Sequence, residues 1–138
     1  KPAFRALLRD HRCVIFSTGF LEWRTVAGRR KKQRVLIQVG EHLPIAFAGL
    51  WDTWHPRREP LESCTIIITD ANELTRTVHD RMPVILDAAG ARTWLDPTVP
   101  FEQARRLLVP REPAGMTVAP EPEPPRKDPD ALPRLGPA

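Results

Sequence analysis

The sequence has few of the features that would place it in an oxidising or membrane environment. Its 138 residues include only two cysteines, Cys13 and Cys64. Two are too few for a disulfide-stapled secreted scaffold and fit a reducing cytoplasm better. The longest apolar runs, residues 13–16 and 65–69, are far too short to span a bilayer. We therefore expect a cytoplasmic protein that is not embedded in a membrane.

Several common chemical motifs are also missing. The sequence has no glycine-rich phosphate loop, no zinc-type cysteine pair and no Gly-x-Ser-x-Gly nucleophile elbow. Its four histidines and two cysteines lack the spacing of metal ligands. We therefore predict neither a bound metal nor a cofactor. Because Cys13 and Cys64 lie in apolar segments, we interpret both as small buried hydrophobic residues.

Proline marks the edge of the folded part of the chain. Nine of the 16 prolines lie in residues 110–138, where they remove hydrogen-bond donors and fix φ, so that helix and central strand are excluded. We predict one domain over residues 1–119 and a disordered Pro-rich tail over residues 120–138. Residues 1–109 carry a net charge of +5, which permits a phosphate-rich partner without demonstrating one.

Short segments of strand-like and helix-like pattern alternate along the domain and predict a β-rich α+β fold with short peripheral helices. The predicted strands span residues 12–16, 21–26, 34–39, 45–48, 62–69, 83–86 and 115–119. The predicted helices span residues 2–11, 71–76, 88–95 and 101–108. Asp70 is the expected cap of the 71–76 helix, with Glu73 completing a capping box.

Two polar residues are candidates for proton transfer. Glu22 lies between Leu21 and Trp23, and a carboxylate in apolar surroundings can exchange a proton near neutral pH. The alternative, which composition alone favours, is a solvated glutamate on the outer face of an amphipathic strand. His79 follows a predicted helix and precedes an apolar strand, from which its ring can project into a cleft. A histidine that only stabilises the turn is the alternative there.

Aromatic and cationic side chains are interleaved in the first half of the chain. Stacking surfaces beside cations are what a binder of single-stranded nucleic acid needs. Core aromatics with a solvated basic hairpin would explain the pattern equally well. The residues concerned are Phe20, Trp23, Phe47, Trp51 and Trp54, with Arg24, Arg29, Arg30, Lys31, Lys32, Arg57 and Arg58.

Five motifs, at residues 12–23, 47–51, 69–72, 79–86 and 94–97, occur in an order that resembles that of SRAP domains, the SOS response-associated peptidase or abasic-site processing family. Residues 12–23, Arg-Cys-Val-Ile-Phe-Ser-Thr-Gly-Phe-Leu-Glu-Trp, resemble the family's Arg-Cys-(apolar)-Pro-Ala-Asp-Gly-Phe-Tyr-Glu-Trp segment. The other four are Phe-Ala-Gly-Leu-Trp at 47–51, Thr-Asp-Ala-Asn at 69–72, His-Asp-Arg-Met-Pro-Val-Ile-Leu at 79–86 and Trp-Leu-Asp-Pro at 94–97. The resemblance covers about residues 2–119.

The resemblance implies a β-rich α+β fold around a positively charged cleft that binds single-stranded DNA at an abasic site. In the family, autoproteolytic removal of Met exposes a cysteine whose amine and thiol close a thiazolidine on the sugar aldehyde. The family's proton-transferring Glu and His match Glu22 and His79. An Arg near the DNA matches Arg81, and Thr69 matches a cleft residue. Trp23 and Arg24 complete the expected DNA-binding set of a protein that we expect to be monomeric and nucleoid-associated when bound.

The departures from the family pattern concern the nucleophile. The Cys-Gly-Arg and Asn-Ala-Arg-x-Glu segments are absent from the given residues, which begin with Lys1. We therefore expect the C-terminal bulk of an SRAP protein, truncated or degenerate, with the acid–base residues but without the nucleophilic Cys. The alternatives are a non-catalytic module that binds single-stranded nucleic acid and a structural domain with a solvated basic face.

Overall fold

The computed structural model describes residues 4, 6–28, 30–40, 44–55 and 59–121. Within these ranges the chain has the predicted β-rich α+β fold with short helices, and no helix there is long and apolar enough to cross a membrane. The predicted tail lies outside the described residues from position 122 onward. The strands are β1 (Arg12–Ser17), β2 (Phe20–Arg24), β3 (Gln33–Val39), β4 (Ile45–Trp54), β5 (Leu61–Ile66), β6 (Ile68–Asp70), β7 (Arg81–Pro83), β8 (Ile85–Leu86) and β9 (Met116–Pro120). The helices are α1 (Leu7–Asp10), α2 (Glu73–Arg76), α3 (Ala88–Leu95) and α4 (Phe101–Ala104), and a 3₁₀ turn (Arg105–Leu107) follows α4.

The long strand β4 is the centre of the largest sheet. β1 pairs antiparallel with residues 45–50 of β4, and β5 pairs antiparallel with residues 49–54. β8 pairs with Ala46 and Phe47 on the side of β4 that β5 occupies further along. The first half of β4 therefore has neighbours on both sides.

The same half of β4 is buried on both faces and separates two hydrophobic clusters. Ala46, Ala48 and Leu50 belong to the first cluster, on the helical side of the sheet. Ile45 and Phe47 belong to the second cluster, on the side of the β2–β3–β9 sheet. A strand covered on both faces carries a continuous apolar run. The molecule accordingly has three layers: helices, the β4 sheet and the β2–β3–β9 sheet.

Trp94 of α3 attaches the helical layer to the β4 sheet. Its side chain is fully buried in the first cluster. Its indole N–H donates to the carbonyl oxygen of Cys13 at 2.9 Å and to that of Gly49 at 3.3 Å. These carbonyls belong to the adjacent strands β1 and β4, so one indole ties α3 to both strands.

Gly49 lets β1, β4 and β5 pack closely beside this indole. A Cβ atom at this position would lie 2.9 Å from Ile15 Cδ1 and 3.0 Å from the carbonyl oxygen of Thr65. Both distances are shorter than ordinary van der Waals contact, and the Thr65 oxygen is backbone that cannot move aside. The absence of a side chain at Gly49 is therefore a packing requirement of the central strand.

The β2–β3–β9 sheet closes the second cluster, with β3 in its middle. Val35 and Ile37 of β3 are fully buried. Phe20 of β2 meets Phe47 edge to face, with ring centroids 6.0 Å apart. Phe20 thereby places the start of β2 against the β4 sheet.

The short β6–β7 sheet is attached to β4 by backbone hydrogen bonds. Ile67 N–H donates to the Ala48 carbonyl at 2.9 Å, and Ala48 N–H donates to the Val84 carbonyl at 3.0 Å. Val84 N–H in turn donates to the Ile67 carbonyl at 2.9 Å. Met82 of β7 is 1% exposed and belongs to the second cluster. The segment between β6 and β7, which contains α2 and His79, thus begins and ends on the core.

Some predicted boundaries differ from the structure for identifiable reasons. The strand predicted over residues 45–48 continues to Trp54, because β5 pairs with the extension. The strand predicted over residues 62–69 is divided at Ile67, because the Ile67 backbone bonds to Ala48 and Val84. The helix predicted over residues 2–11 is an α-helix at Leu7–Asp10 within the described residues.

Two local predictions were wrong. Asp70 does not cap α2: it ends β6 opposite Arg81, and the cap is Asn72, whose side chain accepts from Thr75 N–H. Cys64 is not buried: it is exposed, because β5 is an edge strand with five of its six residues exposed. Cys13, on β1, is half-buried.

Replacing Trp94 with Phe should lower the free energy of unfolding by about 1–3 kcal/mol, because two buried carbonyl oxygens lose their shared donor. Urea unfolding followed by circular dichroism measures the change. Leu95→Ala, at a 50% exposed position of the same helix, is the control and should cost less than about 0.5 kcal/mol. A Trp94→Phe loss no larger than that of the control would contradict the anchoring role.

Candidate functional site

A strand that covers a core usually has apolar side chains on its inward face and polar ones on its outward face. Strand β2 departs from this pattern. Phe20, Glu22 and Arg24 are half-buried, whereas Leu21 and Trp23 are 45% and 53% exposed. Phe20 belongs to the second cluster, so Glu22 and Arg24 share its inward-facing side. Two charged residues therefore face inward and two large apolar residues face outward.

Glu22 lies on the core-facing side of the sheet. It is directly opposite Val35, which is fully buried, and Phe20 opposite Ile37 is the next pair on the same face. The interpretation of Glu22 as a solvated residue on the outer face was wrong, because alternation along β2 is set by Phe20. Glu22 is therefore a half-buried carboxylate on the face of β2 that borders the second cluster.

Arg24 and Trp23 are each held by the strand that pairs with β2. The Arg24 guanidinium donates to Gln33 Oε1 at 2.8 Å on the inner face. On the outer face, the Arg34 guanidinium carbon lies 5.5 Å from the centroid of the Trp23 ring. Trp23 remains more than half exposed, so a large aromatic surface is available to a ligand.

Two groups contact the same ring nitrogen of His79, Nδ1. One contact suits the neutral ring and the other suits the protonated ring. Its Nδ1 accepts from the Arg81 backbone N–H at 3.1 Å, which requires the neutral form of the ring. The Asp80 carboxylate lies 3.1 Å from the same Nδ1 and pairs with the protonated ring. Both contacts are made by Nδ1, and the side chain is 50% exposed. His79 is therefore a half-exposed imidazole whose ring orientation is fixed by its two neighbours.

Arg81 and Thr69 lie on the same two-stranded sheet next to His79. Arg81 donates to the Ile68 carbonyl at 3.2 Å and lies 3.7 Å from the Asp70 carboxylate. Its side chain is 50% exposed, so the oriented guanidinium can still meet a phosphate. Thr69 is half-buried and opposite Met82, on the inward-facing side of β6.

Asn72 stabilises the connection that carries His79, and sequence reasoning missed it. Its side chain accepts from Thr75 N–H at 2.9 Å and donates to the Arg111 carbonyl at 2.7 Å. The side chain is 8% exposed. The sequence did contain a signal for this role, because asparagine is a preferred N-cap residue and Asn72 directly precedes α2. Asp80 is the other residue without a predicted role; the sequence analysis included it only as part of the motif at residues 79–86.

The contacts place the predicted site residues in two groups. Glu22, Trp23 and Arg24 are on β2, while the other three lie on or next to β6–β7. Both groups border the second cluster, the first through Phe20 and the second through Met82. In the basic hairpin loop, Arg30, Lys31 and Lys32 are exposed, and Arg29 lies outside the described residues, as do Arg57 and Arg58.

Cys13 lacks the surroundings of an activated nucleophile. Burial raises the pKa of the Cys13 thiol, and the nearby Cys64 thiol adds to the increase. A raised pKa leaves less thiolate at neutral pH and makes the thiol less reactive. Among the described residues, no group of three or more His, Cys, Asp or Glu side chains could hold a metal ion.

Comparison with known proteins gives a consistent set of relatives. Residues 1–121 match the family model described as SOS response associated peptidase (SRAP). The abasic site processing protein YoqW of Bacillus subtilis is 42% identical over 98 residues, which are 70% of this chain and 43% of the relative. The abasic site processing protein HMCES of Gallus gallus is 33% identical over 126 residues, covering 77% of this chain and 38% of the relative. The chain spans less than half the length of these curated relatives.

Two solved structures have a similar fold. A crystal structure of a Bacteroides thetaiotaomicron protein superposes with a TM-score of 0.79 and 32% sequence identity, covering 86% of this chain and 52% of that chain. A Bordetella bronchiseptica protein superposes with a TM-score of 0.75 and 25% identity, covering 85% and 58% of the two chains.

Replacing Glu22 with Leu should raise the free energy of unfolding by about 0.5–1.5 kcal/mol, because an apolar side chain replaces a charged one beside Phe20 and Val35. Urea unfolding measures the change. Glu62→Leu is the control, since Glu62 is an exposed residue of β5, and its effect should stay within about 0.5 kcal/mol. A destabilised Glu22→Leu variant would show that the carboxylate supports the fold.

Proposed function

Because the chain belongs to the SOS response associated peptidase (SRAP) family, we propose that it acts in the processing of abasic sites in single-stranded DNA. The observation that carries the proposal is that β2 has charged side chains on its inward face and large apolar side chains on its outward face. Glu22 faces inward beside the apolar cluster, and the adjacent Trp23 faces outward with 53% of its surface exposed. A proton-transferring group and a stacking surface are what an enzyme that reads and modifies an unpaired nucleotide requires.

Glu22 and His79 are the proposed proton-transfer pair. An abasic sugar must open to its aldehyde before an amine can attack it, and the resulting carbinolamine must lose water to give an imine. Each step moves a proton, and Glu22 and His79 are the half-exposed groups suited to accept and return it. The proposal requires the two side chains to meet within the span of one nucleotide sugar, although Glu22 lies on β2 and His79 lies between α2 and β7.

DNA binding is assigned to the cations and the indole around these two groups. Arg81 can contact a phosphate while its contacts to Ile68 and Asp70 hold the guanidinium in orientation. Arg24 and Thr69 face inward on β2 and β6, and Trp23 can stack on a base. Binding through phosphates does not depend on sequence and weakens as salt is raised.

Covalent capture in the proposed reaction needs one cysteine with both a free amine and a thiol. The amine forms the imine with loss of water, and the thiol then adds to the imine carbon to close a thiazolidine ring. Cys13 and Cys64 are internal residues whose nitrogens are in peptide bonds, so neither supplies both groups. A polypeptide of residues 1–138 is therefore proposed to bind DNA and hold the acid–base pair, and the non-catalytic binding module is the second candidate function.

Arg81→Ala should weaken binding to a single-stranded oligonucleotide by about 5- to 10-fold at 50 mM salt. The slope of log affinity against log salt should fall by about 0.7, the value for one lost phosphate contact on a single strand. Fluorescence anisotropy with a labelled oligothymidylate measures both quantities.

Arg92→Ala is the matched control for this measurement, because it removes the same charge from an exposed residue of α3 in the helical layer. Trp23→Ala should also weaken binding, whereas Trp54→Ala, at a 63% exposed position of β4, should not. Equal losses of affinity in the Arg81 and Arg92 variants would show that net charge alone causes the effect. Arg81 would then not be a specific contact of the DNA interface.

Residues 1–138 should form no heat-stable crosslink to single-stranded DNA that carries an abasic site, as judged by denaturing electrophoresis. Joining a Cys-initiated N-terminal segment from a family member should restore the crosslink. In that fusion, Glu22→Gln and His79→Ala should each slow its formation. A stable adduct formed by residues 1–138 alone would show that another residue supplies the nucleophile.

A further inference from the structure

A row of three side chains crosses the outer face of the β2–β3–β9 sheet. Trp23 of β2 is directly opposite Arg34 of β3, and the Arg34 guanidinium covers one face of the indole at 5.5 Å from the ring centroid. Beyond Arg34, Glu121 follows β9 and continues the β3–β9 register by one position. The row therefore consists of an aromatic ring, a cation and a carboxylate in adjacent strands.

The carboxylate of Glu121 lies at the N–H donors of the Arg34 guanidinium. It accepts a hydrogen bond from Arg34 Nη2. The Glu121 backbone N–H also donates to the Arg34 carbonyl at 3.1 Å, which keeps the carboxylate near the guanidinium. The side chains of Arg34 and Glu121 are 41% and 31% exposed, so solvent and a ligand can reach the pair.

We propose that Arg34 is a phosphate-binding residue next to the Trp23 stacking surface, and that Glu121 masks it until DNA displaces the carboxylate. The inference rests on the proposed single-stranded DNA binding and adds a residue and a control element to it. The guanidinium lies over one face of the indole, and the backbone of a base stacked on the other face can pass the edge of the ring and bring its phosphate to the guanidinium. A phosphate oxygen can replace Glu121 as the acceptor, because both are anions that bind the same donors of arginine.

The exchange is close to balanced because one anion replaces another on the same cation. In the unmodified chain the phosphate must displace Glu121, so Arg34 adds little net affinity. Once the carboxylate is neutralised, Arg34 becomes a full phosphate contact. One additional contact steepens the log–log salt slope by about 0.7, which corresponds to roughly 5- to 10-fold tighter binding at 50 mM salt.

Glu121→Gln in the full 138-residue chain tests the proposal, with oligothymidylate binding measured by fluorescence anisotropy between 50 and 300 mM salt. The variant should bind about 5- to 10-fold more tightly at 50 mM and show a slope steeper by about 0.7. Glu102→Gln is the matched control, because it removes the same charge from another arginine–glutamate pair, with Arg105 Nε 3.0 Å away. The control should change affinity by less than about 2-fold.

Arg34→Gln should abolish the gain, so that Arg34→Gln with and without Glu121→Gln binds equally. Glutamine keeps part of the side chain over Trp23, and urea unfolding checks that each variant is folded. A gain in Glu121→Gln no larger than that in Glu102→Gln, with binding by the unmodified chain intact, would overturn the masking proposal alone. Absence of binding by the unmodified chain and by every variant would overturn the proposed function and the inference with it.

Discussion

The burial of β4 on both faces is the constraint on which the rest of the structure depends. Its even-numbered residues Ala46 and Ala48 are small and leave room for the Trp94 indole in the helical layer. Its odd-numbered residues Ile45 and Phe47 are large and fill the space up to the second sheet. Because both layers pack on one strand, the elements that carry the candidate site are positioned relative to the same rigid element.

The candidate site lies at the margin of the second cluster, where β2 departs from the usual alternation of apolar residues inward and polar residues outward. An apolar residue at the position of Glu22 would continue the core face of β2, and a polar residue at the position of Trp23 would suit its exposed face. Sites for binding and catalysis commonly carry such departures, which cost stability and are retained for function. The apolar contacts of Phe20 and Met82 on either side hold the surrounding backbone in place.

The arginines of the site differ in how strongly their partners compete with a phosphate. Arg24 bonds to the neutral amide of Gln33, and Arg81 bonds to a backbone carbonyl with a more distant carboxylate. Arg34 alone among these three bonds directly to a carboxylate within the described residues. An anionic ligand meets the least competition at Arg24 and Arg81, so the partners of the cations, and not the net charge of +4, determine where an anion can bind.

The sequence by itself determined the fold class, the family and the identity of the candidate residues, because these follow from local patterns and from motifs in a set order. The β-branched run before Thr69 predicted a strand, and the His-Asp-Arg-Met-Pro motif made His79 a candidate. Only the tertiary structure decided which face of β2 points inward, since a strand of alternating residues can be placed either way until Phe20 packs on Phe47. It also decided that Asp70 pairs with Arg81 instead of capping α2, and that Arg34 joins Trp23 to Glu121. Those outcomes depend on contacts between strands distant in the chain, and no local pattern encodes them.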